Sequence, residues 1–460
     1  MKKMNTTQKI PHRFFWNWDH STNWCLNERG AQNCGVANPY LKEGSVFEKD
    51  FKRVIDWCSL HQMDAVGIVG LLRDVHGGTE SARRLCEYAN ERGVQVYMIA
   101  GLFAYGGIYH EGDHKYSLNR FFEKNPECIG TQPDGSKLIV QYQYPYGCGK
   151  EPQGCPSHPA LHDFVLESLD WLFKEIPELG GIQMESGDSG VCKCDLCRAR
   201  RGSAVANEPL SIADMAGIYP DAADVIRQRK KDALIICETY HHFLDPECRY
   251  FDTENPSADL QKLLNMPEST FWQWKCDQML RDHTWEKGAP MLKSMQKFRH
   301  VVRAHSGTQW WGGRHTFAVD KIRQQCLLSF HSGLDGVSMF GEASPFHTNS
   351  EFNYLALEYF ADHPLSTTDD FIKDVMSPLL GGDERALLYY EMAQVSEETW
   401  RGIPDAVREI ARLSIDVSDA DAFRRWQYLA AFLHSCYYEI MQNGGVRMKA
   451  PHEADRPDQG

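Results

Sequence analysis

TESARRLCEYANERGVQVYMIAG, residues 79–101, reads as a helix that stops and a strand that starts. Ala82, Leu85, Cys86 and Ala89 fall at i, i+3, i+4 and i+7, so one apolar stripe runs down a single helix face and can lie on a sheet. Gly93 ends that helix, and Val94 opens the next strand. The same unit recurs along the chain. Strand-type runs occupy 13–18, 64–69, 94–101, 181–185, 233–238, 270–275, 299–304 and 336–340, eight in all. Helical periodicity occupies 47–61, 79–92, 161–176, 218–230 and 319–331. Parallel strands need such crossovers, so the class is α/β. No Gly-x-Gly-x-x-Gly follows the first run, which disfavours a doubly wound dinucleotide-binding sheet. The expectation is a (β/α)8 TIM barrel over 12–349, a C-terminal helical region over 350–449 packed on it, and a loose polar tail over 450–460. Breaks in the helical region are expected at Pro364 and at Gly381 and Gly382.

Composition narrows the partners. Hydrophobic residues at 42% and charged residues at 24% suit an ordinary globular protein of 460 residues and argue against disorder or a membrane span. A net charge of −14, with no basic cluster able to track phosphates, disfavours nucleic acid and anionic membranes. A small neutral or sugar-like ligand fits better. The first eleven residues lack the apolar run of a secretory signal, which favours the cytoplasm unless a leader has been trimmed. Of the 15 cysteines, Cys58, Cys86, Cys237 and Cys326 sit singly in apolar stretches and read as small buried hydrophobes.

In a barrel of this type, side chains just past the carboxyl ends of the strands assemble the active site. The first strand delivers Trp16, Trp18, Asp19 and His20; the fourth Glu185 and then Asp188; the fifth Glu238, Tyr240 and His241. The sixth carries Trp272 and Trp274, the seventh runs into Trp310, Trp311 and Arg314, and the eighth ends in Glu342. Acids ringed by tryptophans suit glycoside hydrolysis, in which one carboxyl protonates the leaving oxygen and another serves as base or nucleophile. Sugar C–H faces pack on indole rings. Glu185 leads as general acid because it directly ends an apolar strand, and Asp188, Glu238 and Glu342 compete for the second role. Against this stands a structural reading in which the tryptophans close the barrel, Asp188 caps a helix, and Glu238 or Glu342 pairs with Lys275 or Arg314.

Cys192, Cys194 and Cys197 form C-x-C-x-x-C in the loop after the fourth strand, close enough in sequence to offer three thiolates to one structural zinc. Cys148, Cys155 or His158, in the long insertion after the third strand, could supply the fourth ligand, with Cys155 preferred. Free thiols or one disulfide are the alternative.

The run Cys155-Pro156-Ser157-His158-Pro159, the strand 181–185 and the C-x-C-x-x-C loop resemble barrel glycosidases related to the family 67 alpha-glucuronidases and the family 20 hexosaminidases. So do 333–345, Tyr354-Leu355-Ala356 and 377–382, and the resemblance extends from Phe14 to about Gly382. It implies a catalytic acid at the end of the fourth strand, on Glu185. The family 20 pair of adjacent Asp and Glu is replaced here by Met184 and Glu185, so assistance by a substrate acetamido group is not implied. The sixth strand ends in Trp274, Lys275 and Cys276, so the glucuronidase base does not transfer. Both families carry an additional amino-terminal domain, whereas the first strand here begins by Arg13.

The expected activity is therefore an exo-acting glycosidase on small oligosaccharides, with no organic cofactor. Two alternatives remain. One is a divalent-metal sugar isomerase or epimerase using Glu185, Glu238, His241 and Glu342; the other is a non-catalytic sugar-binding barrel. The helices after Pro345 could cover the barrel or pair with another subunit as a homo-oligomer.

Overall fold

The computed structural model describes residues 9–19, 22, 24, 43–144, 147–185, 191–201, 211–242, 256–276, 279–280, 283, 285–288, 295–303, 317–395 and 399–442. Ten strands are present among the described residues: β1 (His12–Trp18), β2 (Ala65–Val69), β3 (Gln95–Gly101), β4 (Ile139–Tyr144), β5 (Gly147–Pro152), β6 (Gly181–Glu185), β7 (Leu234–His242), β8 (Phe271–Lys275), β9 (Arg299–Arg303) and β10 (Gly336–Phe340). Eight of them close into an all-parallel ring in the order β1-β10-β9-β8-β7-β6-β3-β2, while β4 and β5 form a separate antiparallel hairpin. The chain is a (β/α)8 barrel.

The quoted stretch folds as read. Helix Gly78–Asn90 buries Ala82, Leu85, Cys86 and Ala89. Gly93, at φ +70°, then turns the chain where a side chain would be strained, and the Val94 amide donates to the Ala89 carbonyl at 3.0 Å. Crossovers Gly44–Leu60, Gly78–Asn90, Pro159–Glu175, Tyr219–Arg229 and Val319–Ser332 lie where the periodicity placed them. Helix Ala258–Leu264 between β7 and β8, and the β4–β5 hairpin, carried no clear signal in the sequence. Helix Asn349–Asp362 follows β10, and further helices continue to Gln442. Arg425 binds Glu351 through two N–H···O bonds of 2.7 and 2.8 Å, which ties the last helix to the helix after β10. No helix among the described residues is long and apolar enough to cross a membrane.

Two apolar layers follow from the period-2 alternation of the strands. One fills the ring: Phe14, Trp16, Trp18, Tyr97, Ile99, Ile236, Phe271, Val301 and Phe340 pack together. Phe14 of β1 touches Tyr97 of β3 and Phe271 of β8, neither strand adjacent to β1, so these rings meet across the lumen. The other layer, including Phe15, Val66, Met98, Ile182, Cys237, Val302 and Met339, lies between the strands and the helices. Cys58, Cys86, Cys237 and Cys326 are buried free thiols, as their apolar surroundings suggested.

Candidate active site and cysteine centre

Strand parity decides which side chains enter the lumen. Gln183 of β6 and Gln273 of β8 are joined by a 3.1 Å hydrogen bond although β7 separates their strands, so both point inward. Glu185, two residues beyond Gln183, shares its face, as Glu238 shares that of Ile236, and Lys275 and Arg303 those of Gln273 and Val301. The β6–β7 register runs to Met184 beside Cys237, and one step further sets Glu185 beside Glu238 at the carboxyl end of the ring. Arg303 Nη2 meets Glu238 Oε1 at 2.9 Å, again from two strands away, and both side chains are buried. The Arg303 guanidinium carbon lies 5.6 Å from the Trp16 ring centre. Below this polar layer the lumen is aromatic.

The β7–β8 register slips just past Glu238: Glu238 faces Gln273, but His242 faces Lys275. Such a bulge re-aims the strand end at the mouth of a barrel. It contains Tyr240 and His241, whose side chains lie outside the described residues, as do His20, Asp188, Trp310, Trp311 and Arg314.

The tryptophans expected around the rim divide. Trp16 and Trp18 face the lumen, Trp16 edge-on to Phe340 at 4.5 Å. Trp272 and Trp274 do not face the lumen. They alternate with the inward Phe271 and Gln273, so parity turns them to the outer layer. There the Trp274 indole donates to His300 Nδ1 at 3.0 Å, and Trp272 packs on Phe298. Burial holds the His300 pKa below the ordinary imidazole value. Asp19 is likewise used by the fold. Its buried carboxylate meets Arg73 Nε at 2.6 Å and His76 Nε2 at 3.2 Å, and Arg73 also bonds Glu111. Glu342 is buried and accepts the Trp18 backbone N–H at 2.9 Å, which fastens the end of β1 to the loop after β10. Arg303 is a partner of Glu238 that the sequence reading did not propose; Arg314 lies outside the described residues.

Residues of the excursion after β3 pack against Trp18 at the end of β1. Tyr105 and His110 lie edge-on to Trp18 at 6.3 and 6.5 Å, and the His110 amide donates to Leu72 O at 2.9 Å. Sequence reading missed Gln183, Gln273 and Arg303 as lumen residues; only Gln183, two positions before Glu185 on the same strand, could have been placed from the alternation. Nothing in the sequence pointed to Tyr105 or His110.

The cysteine centre is assembled from two excursions. Cys155 ends the long one after β3; Cys192 and Cys194 lie in the loop after β6, and Cys197 in the short helix Asp195–Arg201. The four sulfurs all lie within 4.8 Å of one another, with Cys155 Sγ 3.7 Å from Cys194 Sγ and 3.6 Å from Cys197 Sγ, a grouping that could hold a metal ion. Hydrogen bonds from Cys155 and Cys197, helped by the Cys194 and Thr131 amides, push the Cys192 pKa down to about 3. His158, the other candidate ligand, bonds the Cys128 thiol at 3.2 Å, and the Cys148 side chain lies outside the described residues.

No family model matches the chain, and no curated protein matches it either. Solved structures do. A family 89 glycoside hydrolase from Clostridium perfringens, in complex with PUGNAc, superposes with a TM-score of 0.54 at 12% identity, over 95% of this chain and 52% of that one. The chain has that enzyme's barrel fold. A family 138 glycoside hydrolase targeting pectin rhamnogalacturonan II aligns over 94% of this chain and 57% of its own length, with a TM-score of 0.49 at 10% identity. A family 20 beta-N-acetylglucosaminidase aligns over 82% of this chain and 75% of its own, with a TM-score of 0.44 at 11% identity. The chain thus spans little more than half the length of the first two.

Proposed function

We propose that the barrel is a glycoside hydrolase, with Glu185 as general acid and Glu238 as the second carboxylate. The observation that carries this reading is the setting of Glu185 beside Glu238 on the inward face at the carboxyl ends of β6 and β7, where barrels of this type do their chemistry. The Arg303 guanidinium, 2.9 Å away, favours the charged form of Glu238, which suits a base or nucleophile. Glu185, which ends the neighbouring strand on the same face, is assigned the protonated role, since glycosidic cleavage requires one carboxyl of each kind.

In the cycle proposed here, Glu185 delivers its proton to the glycosidic oxygen while Glu238 either attacks the anomeric carbon or takes a proton from the attacking water. Trp18 offers a ring to a sugar face, and Gln183 and Gln273 offer amides to hydroxyls. The proposed mode is exo, on a small oligosaccharide, with Tyr105 and His110 edge-on to Trp18 beside the end of β1. The four-cysteine group is proposed to take a structural zinc with no part in bond cleavage.

Turnover on a panel of unactivated glycosides tests the reading. Glu185→Gln should abolish turnover and leave ligand binding; an active Gln variant would eliminate Glu185 as the acid. Wild-type activity that chelation removes and Mn2+ or Mg2+ restores, with isomerised and uncleaved product, would replace hydrolysis by metal-dependent isomerisation.

A further inference from the structure

We infer that Cys155, Cys192, Cys194 and Cys197 bind one zinc ion as a tetrathiolate, and that this ion clamps the excursion after β3 to the loop leaving β6, whatever reaction the barrel runs. In a tetrahedral site with Zn–S near 2.3 Å, the sulfurs must stand about 3.8 Å apart. The 3.6 and 3.7 Å separations match that edge, and the 4.8 Å limit on all pairs leaves one common centre. A disulfide would need about 2.05 Å, and all four are free thiols. Four soft sulfur donors and no oxygen ligand select zinc over magnesium or calcium.

The surroundings fit thiolate ligands. The Thr131 and Cys194 amides point at Cys192 Sγ at 3.2 and 3.5 Å, and Ser157 Oγ lies 3.0 Å from Cys197 Sγ, giving the sulfurs hydrogen-bond donors of the kind that tune a metal's ligands. Four thiolates and Zn2+ leave two negative charges. Close by, Arg200 and Arg201 share the single carboxylate of Asp214, so this cluster carries one surplus positive charge. Arg201 also donates to Cys192 O at 2.5 Å, which brings that charge to the ligand loop.

The clamp joins segments that hydrogen bonds also connect. Cys155 N donates to Cys128 O and Gly154 N to Phe103 O, which anchors Cys155 to the excursion after β3. Lys193 N donates to Thr131 O at 2.7 Å, and Arg200 to Pro156 O at 3.2 Å, across the same junction. The ion would add the bonds that hold this junction closed.

Metal analysis of the purified full chain should give one zinc per chain. Replacing it with cobalt should give the thiolate-to-metal charge-transfer bands and intense d–d absorption of a tetrahedral sulfur site. Cys155→Ser, or Cys194→Ser if the first variant does not fold, should lose the ion. Metal removal should speed amide exchange of Thr131 and Cys194 by ~10-fold or more and leave that of Val301 and Val302 in β9 unchanged, the mark of local opening. Substoichiometric metal with four thiols open to a chromogenic disulfide reagent in the native protein would overturn the site. Full zinc retention in the folded serine variant would overturn the tetrathiolate. Exchange at Thr131 and Cys194 unmoved by metal loss would overturn the clamp.

Discussion

Replacing Arg303 by Met isolates the pair on which the proposed division of labour rests. The guanidinium and the Glu238 carboxylate are both buried and meet at 2.9 Å. At that separation and an effective dielectric of about 20, Coulomb's law gives roughly 6 kcal/mol of gross attraction. Much of this offsets the desolvation of the two charges, so the measurable quantity is what remains when one partner goes. For a buried pair, removing one charge costs about 3–5 kcal/mol, because the other stays in a poor solvent. Met keeps most of the stem's volume but loses the guanidinium's placement over the Trp16 and Phe340 rings, a loss that does not vary with pH.

The pH dependence separates charge from packing. Losing a cation 2.9 Å away raises the pKa of the buried Glu238 carboxyl relative to wild type, whereas the unfolded chain releases its proton near pH 4.3 in both proteins. The stability lost with Arg303 must therefore grow as pH rises above 4.3. Urea unfolding, followed by tryptophan fluorescence, should give a deficit of about 3–5 kcal/mol at pH 7.5 and a visibly smaller one at pH 5. Glu238→Gln combined with Arg303→Met, which removes both charges, should recover most of the loss. A deficit under about 1 kcal/mol, or one equal at the two pH values, would refute the buried-pair reasoning.

Three further outcomes follow from other parts of the barrel. Glu185→Gln should lower kcat on an unactivated glycoside by about 10²–10⁴ or more with binding retained, and isothermal titration beside product analysis would detect a variant that fails this. Gly67→Ala should destabilise the barrel by about 1–3 kcal/mol, because a Cβ there would sit 2.3 Å from Tyr97 Cζ in the packed lumen; an unchanged urea midpoint would show that the ring can move aside. His300 accepts the Trp274 indole N–H at Nδ1 and meets Met295 O at 2.8 Å through Nε2, which fixes a neutral ring whose pKa burial depresses. The unfolded chain then binds the extra proton first, so this stabilisation is present above about pH 6.5 and is lost as pH falls below it. The slope of stability between pH 7.5 and 5 should be shallower in His300→Gln, and an identical slope would count against the neutral tautomer.

The fold was legible because eight βα units repeat one local rule. A stripe at helical spacing, a terminating Gly such as Gly93, and a short β-rich run are all properties of consecutive residues. Boundaries came within a residue for most strands; β7 ran four residues beyond the expected end, because the bulge past Glu238 depends on pairing with β8. The cysteine centre was also partly legible. Three of its members are neighbours in sequence and Cys155 is the preferred fourth; the packing that commits His158 to Cys128 agrees with that preference.

Ring closure and strand parity decided the rest. Trp272 and Gln273 differ by one position, and no local property of the two says which enters the lumen; that follows from how β8 is set between β7 and β9. Asp19 looks like any acid at a strand end until Arg73 and His76, more than fifty residues away, are folded onto it. Arg303 and Glu238 come from strands that never touch, so their partnership exists only because the sheet curves back on itself. A linear chain specifies its own periodicity, but which charges share a buried space is set by long-range closure.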